Sequence, residues 1–146
     1  MTRRKKFALG FLAVVTVALA SVAAIFSYNS PCTKAPPLAA GTLDMKSATY
    51  RCYGAPDVIR IERVAKPQPA QDEVLIKIEA ASVNPLDWHY LHGKPYIMRM
   101  DAGIGAPKDT SIGVDFSGVV EAVGSGVTRF KPGDAVFGAA NGSFAE

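Results

Sequence analysis

The sequence is poor in cysteine, with only Cys32 and Cys52 among its 146 residues. The spacing of these two residues matches no zinc-binding or redox motif, which argues against a metal centre built on thiolates. They are interpreted as two unrelated thiols. The alternative is a single disulfide, which requires that the domain lies in an oxidising compartment. Spacing along the chain does not give the distance between two Cα atoms, so both interpretations stay open.

Positive charge is scarce outside the N-terminus. Four of the 16 Lys and Arg residues stand at positions 3–6, and the other 12 are balanced by 13 Asp and Glu residues. No basic face is left to bind a phosphate backbone, so the charge pattern argues against a nucleic-acid partner. The sequence also lacks low-complexity tracts and internal repeats, which argues against a repeat architecture.

Charge is absent altogether from residues 7–28. At about 1.5 Å per residue, a helix over this run is long enough to cross the roughly 30 Å hydrocarbon core of a bilayer. The segment is therefore predicted to be a transmembrane signal-anchor helix in contact with lipid. Residues 1–6 form a basic cap that is expected to stay in the cytoplasm, which places the remaining chain on the extracytoplasmic side of the membrane.

Two alternatives to this anchor follow from the same residues. Ala18-Leu19-Ala20 and Ser21-Val22-Ala23 each offer a cleavage site of the small-x-small type, so export after signal cleavage is one alternative. The apolar run continues past both sites to Phe26, which favours an uncleaved anchor. A buried core helix is the other alternative, and it is disfavoured because the segment is apolar on all sides.

Residues 45–146 are predicted to form one mainly β domain, joined to the helix by a proline-broken linker at residues 29–44. Strands are predicted at residues 46–52, 58–64, 74–79 and 116–123 and from residue 135 onward. In the second strand, alternation places Ile59 and Ile61 on one face and Arg60 and Glu62 on the other. In the third, the apolar residues at even positions share one face.

A single short helix is predicted within this domain. Asn84 has the side chain of a helix cap, and Pro85 suits the first helical position. Gly93 is a plausible residue for the C-terminal end, so the helix is predicted over residues 85–92. The following residues, 94–111, contain glycine and proline and are predicted to be an irregular loop.

Residues 113–137 contain the pattern G-x-D-x-x-G-x-V-x-x-V-G-x-x-V-x-x-F-x-x-G-D-x-V. The pattern resembles the catalytic, chaperonin-10-like (GroES-like) domain of the medium-chain dehydrogenase/reductase superfamily. The likeness extends upstream through residues 80–88 to about Met45. The Asn-Pro-x-Asp sequence that begins at Asn84 resembles the zinc-independent quinone reductase branch. The resemblance implies a partly open β-barrel with a short helix.

The resemblance also implies an activity, which is NAD(P)H-dependent hydride transfer to a quinone, an enone or a carbonyl substrate. The cofactor, NADP(H) or NAD(H), would be held mainly by a Rossmann domain that follows this one in the family. No such domain is present in the sequence, so the chain is expected to be an N-terminal fragment that is inactive alone. A homodimer is expected for the full-length form.

Asn84 and Asp87 are the candidate site residues. By resemblance, Asn84 lies in the cleft that faces the nicotinamide, where its amide would act in catalysis and contact the cofactor. Asp87 lies one helical turn further on and is the second catalytic candidate. The structural alternative is that Asn84 only caps the helix and Asp87 only interacts with the helix dipole. Tyr90 and Tyr96 are weaker candidates for a proton donor.

No zinc is expected. In zinc-dependent alcohol dehydrogenases a cysteine occupies the position of Asn84, and Gly-His-Glu stands at the position of Gly113-Val114-Asp115. A thiolate and an imidazole are both missing here, and catalytic zinc needs three protein ligands. His89 and His92 could share a helix face, but no thiolate or Glu stands nearby at helical spacing, and they are interpreted as solvent-exposed or loop-packing residues. Gly124-Ser125-Gly126 lacks the third glycine of a dinucleotide loop and is predicted to be a turn.

Two non-enzymatic functions are the alternatives. One is a membrane-tethered β-barrel binding module that has no cofactor domain. The other is a chaperonin-10-like domain that forms oligomers, although such a domain has no need for Asn84 and Asp87.

Overall fold

The computed structural model describes residues 3–146, so the first two residues of the predicted basic cap lie outside the described residues. The chain begins with helix α1, Arg3–Ser27, in which no residue is buried. Its most apolar window of 18 residues has a mean hydropathy of 2.5, and the helix is long and apolar enough to cross a membrane. Signal sequences meet the same criteria, so the helix is confirmed and the membrane span remains a prediction.

Residues 3–146 contain five strands, which form two antiparallel sheets. Strand β1, Asp44–Thr49, pairs with β2, Arg60–Ala65. The second sheet has the order β3-β4-β5, and its strands are Val74–Ser82, Asp115–Val123 and Ala135–Ala139. Each predicted strand is present, with its ends shifted by a few residues.

The barrel is not closed within residues 3–146, because no ladder joins the two sheets. The segment that follows β5 runs beside β1 without becoming a strand. The Ala48 N–H donates to the Phe144 carbonyl at 2.8 Å, and Ser47 and Ala145 form an isolated bridge. The two sheets are therefore connected by a few single backbone contacts instead of a continuous ladder.

The side-chain faces are as predicted in β3, whereas in β2 the residue that turns outward is the apolar Ile61. In β3 the apolar residues at positions 74, 76 and 78 are half-buried, and Lys77 and Glu79 are exposed. In β2, Ile61 is 72% exposed, whereas Glu62 turns inward. The cause is a polar partner, because the Glu62 carboxylate accepts hydrogen bonds from Thr49 and Arg51.

Helix α2, Pro85–His92, has the predicted bounds. It ends because Gly93 adopts a left-handed conformation with φ of 58°, which glycine reaches without steric cost. The expected loop at 94–111 contains two short helices that sequence reasoning missed, a 3-10 turn at Tyr96–Met98 and α3 at Arg99–Ala102. A further 3-10 turn lies at Pro56–Val58.

The core lies where β1 meets α2. Its buried members come from four parts of the chain and are Ala48, Tyr50, Tyr53, Leu91 and Ile112. Cys52 is buried next to this core and is bonded to Cys32 of the linker, with the two Cα atoms 4.6 Å apart. The interpretation of two unrelated thiols is therefore wrong, because the linker folds back along the domain and brings distant cysteines together.

Candidate active site

The two candidate residues are joined by the start of helix α2. The Asn84 side-chain oxygen accepts a hydrogen bond from the Leu86 N–H at 2.8 Å, and the Asp87 carboxylate accepts one from the Asn84 N–H at 2.8 Å. Together these bonds form a capping box, which satisfies two donors that a helix start otherwise leaves unpaired. The structural role predicted for both residues is confirmed.

Asn84 also connects α2 to the central strand of the second sheet. Its side-chain nitrogen donates to Oδ2 of Asp115 at 2.8 Å, and Ser82 donates to the same oxygen at 3.4 Å. Asn84 and the segment 113–115, which correspond to the Cys and the Gly-His-Glu of zinc-dependent alcohol dehydrogenases, are thus brought to one end of β4. One N–H of the Asn84 amide takes no part in these bonds. The catalytic role of Asn84 remains a prediction.

The two carboxylate oxygens of Asp87 have different surroundings. One carboxylate oxygen belongs to the capping box, and the other, Oδ1, is buried without a hydrogen-bond partner. The residue is only 4% exposed and lines a cavity of about 190 Å³. An unpaired buried acceptor costs stability of the order of 1–3 kcal/mol unless something donates to it. Oδ1 of Asp87 is thus a buried acceptor, next to the cavity, whose donor the described protein residues do not supply.

The cavity lies between α2, the end of β1 and the segment after α3. The polar and aromatic residues that line it include Tyr50, Asp87, Tyr90, Asp101, Lys108 and Asn141. Burial raises the pKa of the Tyr50 phenol far above its ordinary value, and the neighbouring Tyr53 and Asp109 add to this effect. Tyr50 is therefore a neutral hydrogen-bond donor at any physiological pH.

Sequence reasoning found part of this cavity. Asp87 and Tyr90 line it as candidates, whereas Asn84 supports it from the cap and Tyr96 lies against the Arg99 guanidinium at 4.8 Å. Tyr50 was missed because it stands in a predicted strand with no local sign of chemistry. The acidic residues at 101 and 109 were missed because their segment was predicted to be a plain loop.

The two histidines that were considered as metal ligands each contact a backbone carbonyl. Nδ1 of His89 lies 2.7 Å from the Lys94 carbonyl, and Nδ1 of His92 lies 3.1 Å from the Trp88 carbonyl. Among residues 3–146, no group of three His, Cys, Asp or Glu side chains is placed to hold a metal ion. The absence of zinc stays a prediction.

The glycine-rich turn at 124–126 follows β4 as predicted. The Gly124 N–H donates to the Glu73 carbonyl and the Gly126 N–H to the Gln71 carbonyl, both at 2.8 Å. These two amides are therefore engaged within the fold and do not form a phosphate cradle.

The sequence model of the alcohol dehydrogenase GroES-like domain family matches residues 70–145, which is about half of the chain. The chain belongs to this family. The GroES-like match begins just before β3 and includes α2, the cavity segment and β5. Because quinone oxidoreductases are among the relatives of the chain, this match confirms the resemblance to the quinone reductase-like branch of the medium-chain dehydrogenase/reductase superfamily.

Two curated relatives show how similar this chain is to known proteins. A 2-methylene-furan-3-one reductase from Solanum lycopersicum is 42% identical over 96 residues, which are 65% of this chain and 23% of the relative. An NADPH-dependent alkenal/one oxidoreductase from Arabidopsis thaliana is 38% identical over 95 residues, covering 64% of this chain and 23% of the relative. The chain thus spans about a quarter of the length of these relatives.

A solved structure shows the same GroES-like fold. The quinone oxidoreductase from Coxiella burnetii superposes with a TM-score of 0.62 at 30% identity, and the match covers 71% of this chain and 33% of that structure.

Proposed function

We propose that the chain supplies the substrate-binding wall of a zinc-independent, NAD(P)H-dependent oxidoreductase that reduces a quinone, an enone or a carbonyl compound. The observation that carries this proposal is the cavity of about 190 Å³, lined in part by Asp87, whose carboxylate has one buried oxygen without a hydrogen-bond partner. The relatives named above are reductases and oxidoreductases, one of them NADPH-dependent. These names support the activity class of the whole protein.

The charges of the cavity favour a neutral ligand. The carboxyl groups of Asp87, Asp101 and Asp109 outnumber the single ammonium group of Lys108. An anionic ligand would be repelled, whereas an uncharged quinone or enone, or a nicotinamide ring, would not. The phosphates of a nucleotide would accordingly be held outside this cavity, by residues other than those that line it.

The residues present fit the nicotinamide end of a cofactor. Oδ1 of Asp87 would accept a hydrogen bond from a carboxamide N–H, which is the partner that this buried oxygen lacks. The bound dihydronicotinamide would supply the hydride. Asn84 would hold Asp87 in place through the capping box and through its bond to Asp115.

Tyr50 and Tyr90 would act on the substrate oxygen. Negative charge develops on that oxygen when a quinone, an enone or a carbonyl is reduced, and hydrogen-bond donors in a cavity stabilise it. Because burial raises the pKa of Tyr50, this phenol keeps its proton and donates a hydrogen bond instead of acting as a base. Tyr90 lines the same cavity on the α2 side.

We also infer that α1 anchors the domain in a membrane, with the domain on the extracytoplasmic side. Three features support this. The helix is unburied and is apolar after its first turn, that first turn carries the basic residues Arg3 to Lys6, and the Cys32–Cys52 disulfide suits an oxidising compartment. Export followed by signal cleavage is the alternative location.

The activity is tested with the full-length gene product that carries this chain, purified in detergent. NADPH oxidation is measured with a quinone, an enone and an aldehyde as acceptors, with and without a zinc chelator. We expect turnover with at least one acceptor and no effect of the chelator. Absence of turnover with every acceptor would contradict the proposal and would favour a non-enzymatic, membrane-tethered binding module.

The role of Asp87 is tested with two substitutions. Asp87→Asn keeps an oxygen for the capping box but replaces the negative charge, so we expect native stability and a loss of kcat/KM of about tenfold, the value of one hydrogen bond. Asp87→Ala removes the cap as well, and we expect it to lower both stability and activity. Unchanged kcat/KM in Asp87→Asn would show that the residue serves only the cap.

A further inference from the structure

The end of helix α1 is fixed to the domain by one buried arginine. Arg99 in α3 is 1% exposed, and its Nη1 donates to the carbonyls of Phe26 at 2.9 Å and Tyr28 at 2.8 Å. Its Nη2 donates to the Asn29 side chain at 2.7 Å. The guanidinium also lies over the Tyr53 ring, 4.3 Å from its centroid. A cation is therefore placed where the helix dipole favours one, on carbonyls that the helix leaves unpaired.

Two further contacts hold the chain immediately after α1. The Ser30 N–H donates to the Gly105 carbonyl at 2.8 Å, and Cys32 is bonded to Cys52. Five backbone or side-chain groups between residues 26 and 32 are thus fastened to the domain. The domain is consequently held against the end of α1 instead of hanging on a free linker, although the sequence predicted only a linker there.

The same segment that grips α1 exposes large apolar side chains. Ile97 is 66% exposed, Met100 is 61% exposed and Ile104 is 53% exposed, and Tyr96 stands beside them. We call these four residues the apolar patch. Exposed aliphatic side chains on consecutive short turns are costly in water, and soluble proteins rarely group them. A group of such side chains on one exposed segment is typical of a surface that contacts a membrane or another protein.

The position of the apolar patch identifies the partner. The patch lies on residues 96–104, next to the end of the most apolar helix of the chain, since Arg99 contacts the last turn of α1 and the Gly105 carbonyl contacts Ser30 just after it. Tyr28 and Tyr96 belong to the residue type that concentrates at membrane interfaces. Lys94, whose Nζ lies 6.0 Å from the centre of the Tyr96 ring, adds a cation at the same edge.

We propose that the apolar patch inserts into the interfacial layer of the bilayer and forms a second membrane contact beside the α1 span. This inference rests on the proposed membrane span of α1. The inner side of the same segment lines the cavity through Asp101 and Ala102. The second contact thus sets the wall of the cavity at the lipid surface.

The test measures depth in the membrane for single tryptophans in the intact chain, reconstituted in vesicles of phosphatidylcholine with brominated acyl chains. The native Trp88 is replaced by Phe, and tryptophan is introduced by Ile97→Trp or, as a second position, Ile104→Trp. The control is Phe130→Trp. Phe130 lies beside Val74, at the end of the β3–β4 pair away from α2, because Val74 pairs with Val123 and Ser82 with Asp115.

Brominated lipid is expected to reduce the fluorescence of the Ile97→Trp and Ile104→Trp chains and to leave that of the Phe130→Trp chain unchanged. Resistance of the chain to alkaline carbonate extraction reports on the α1 span separately. An embedded chain whose tryptophan at either patch position is as little quenched as the control would overturn the second contact and leave the anchor intact. A chain that carbonate releases would overturn both.

Discussion

At the scale of single residues, Glu62 shows how one carboxylate decides which face of a strand is buried. Its Oε2 accepts hydrogen bonds from the Thr49 hydroxyl at 2.7 Å and from Arg51 at 2.9 and 3.1 Å. The hydrogen bond from Arg51 holds the pKa of Glu62 below its ordinary value, against the opposing effect of burial. Ile61 is exposed as a result. Hydrophobic alternation could not predict this, because the polar partners stand 11 and 13 residues away.

This pair predicts a pH-dependent stability. Because the pKa of Glu62 is lower in the folded than in the unfolded state, its contribution is present above the unfolded pKa and is lost as the pH falls through the folded one. We expect Glu62→Gln to cost about 1.5–3 kcal/mol at neutral pH, the usual range for hydrogen bonds to charged groups. The cost should shrink in acid. Urea denaturation across the pH range measures it.

The matched control for this prediction is Glu79→Gln, since Glu79 is an exposed residue on the outer face of β3. It should change stability little at any pH. A cost for Glu62→Gln that stays the same in acid would show that the carboxylate charge is not what stabilises the pair.

For Asn84 and Asp87, the local contacts could be predicted from the sequence and the distant contacts could not. Asn84 and Asp87 were identifiable from the sequence because a capping box depends on neighbours within four positions. The bond from Asn84 to Asp115 spans 31 positions, and the cavity beside Asp87 depends on Tyr50 and Asn141. Such contacts depend on how the sheets and helices pack, which local pattern does not specify.

At the scale of elements, strands β3 and β4 approach so closely that one position excludes a side chain. A Cβ on Gly118 would overlap the carbonyl group of Lys77 on β3 and would lie 3.0 Å from the Ile76 side chain. The backbone of β3 cannot move aside without breaking its ladder with β4. Close packing of β3 against β4 therefore explains why a glycine stands at this position of the family-like pattern.

We expect Gly118→Ala to lower the free energy of unfolding by about 1–3 kcal/mol, the usual cost of an overpacked core. Gly138→Ala on β5 is the matched control, because its Cβ would meet the Phe116 ring at an ordinary 3.5 Å. That substitution should be neutral or stabilise by up to about 1 kcal/mol. Equal effects of the two substitutions in thermal or urea unfolding would contradict the close-approach argument.

Elements with a strong local signal were predicted well, whereas their assembly carries little local signal. Helix α2 has the predicted bounds because a cap starts it and Gly93 ends it. The barrel would close further if residues 143–146 formed a continuous ladder with β1, but they make only single contacts with it. Hydrophobic periodicity does not distinguish these two arrangements. Helix α3 escaped prediction because it has four residues and no capping side chain.

At the scale of the whole molecule, the contacts of Arg99 and the disulfide make the helix, linker and domain one unit. Arg99 lies 73 positions from Phe26, and no local pattern distinguishes it from an ordinary loop arginine. The prolines of the linker indicate irregular chain, but they do not indicate that distant residues bind it. The linker is held by a hydrogen bond from Arg99 and by the disulfide to Cys52, and both partners are distant in the sequence.

The orientation of this unit gives the last prediction. If α1 keeps Arg3 to Lys6 in the cytoplasm, alkaline phosphatase fused after Glu146 should be active in a bacterial host, and green fluorescent protein exported through the Sec pathway at the same position should stay dark. In isolated membranes, Cys32 and Cys52 should resist alkylation until a reductant is added, because an oxidising compartment preserves their bond. Replacing positions 3–6 by neutral residues is the control, and it should weaken the orientation bias. Fluorescent fusions with freely alkylated cysteines would place the domain in the cytoplasm, where the disulfide has no reason to persist.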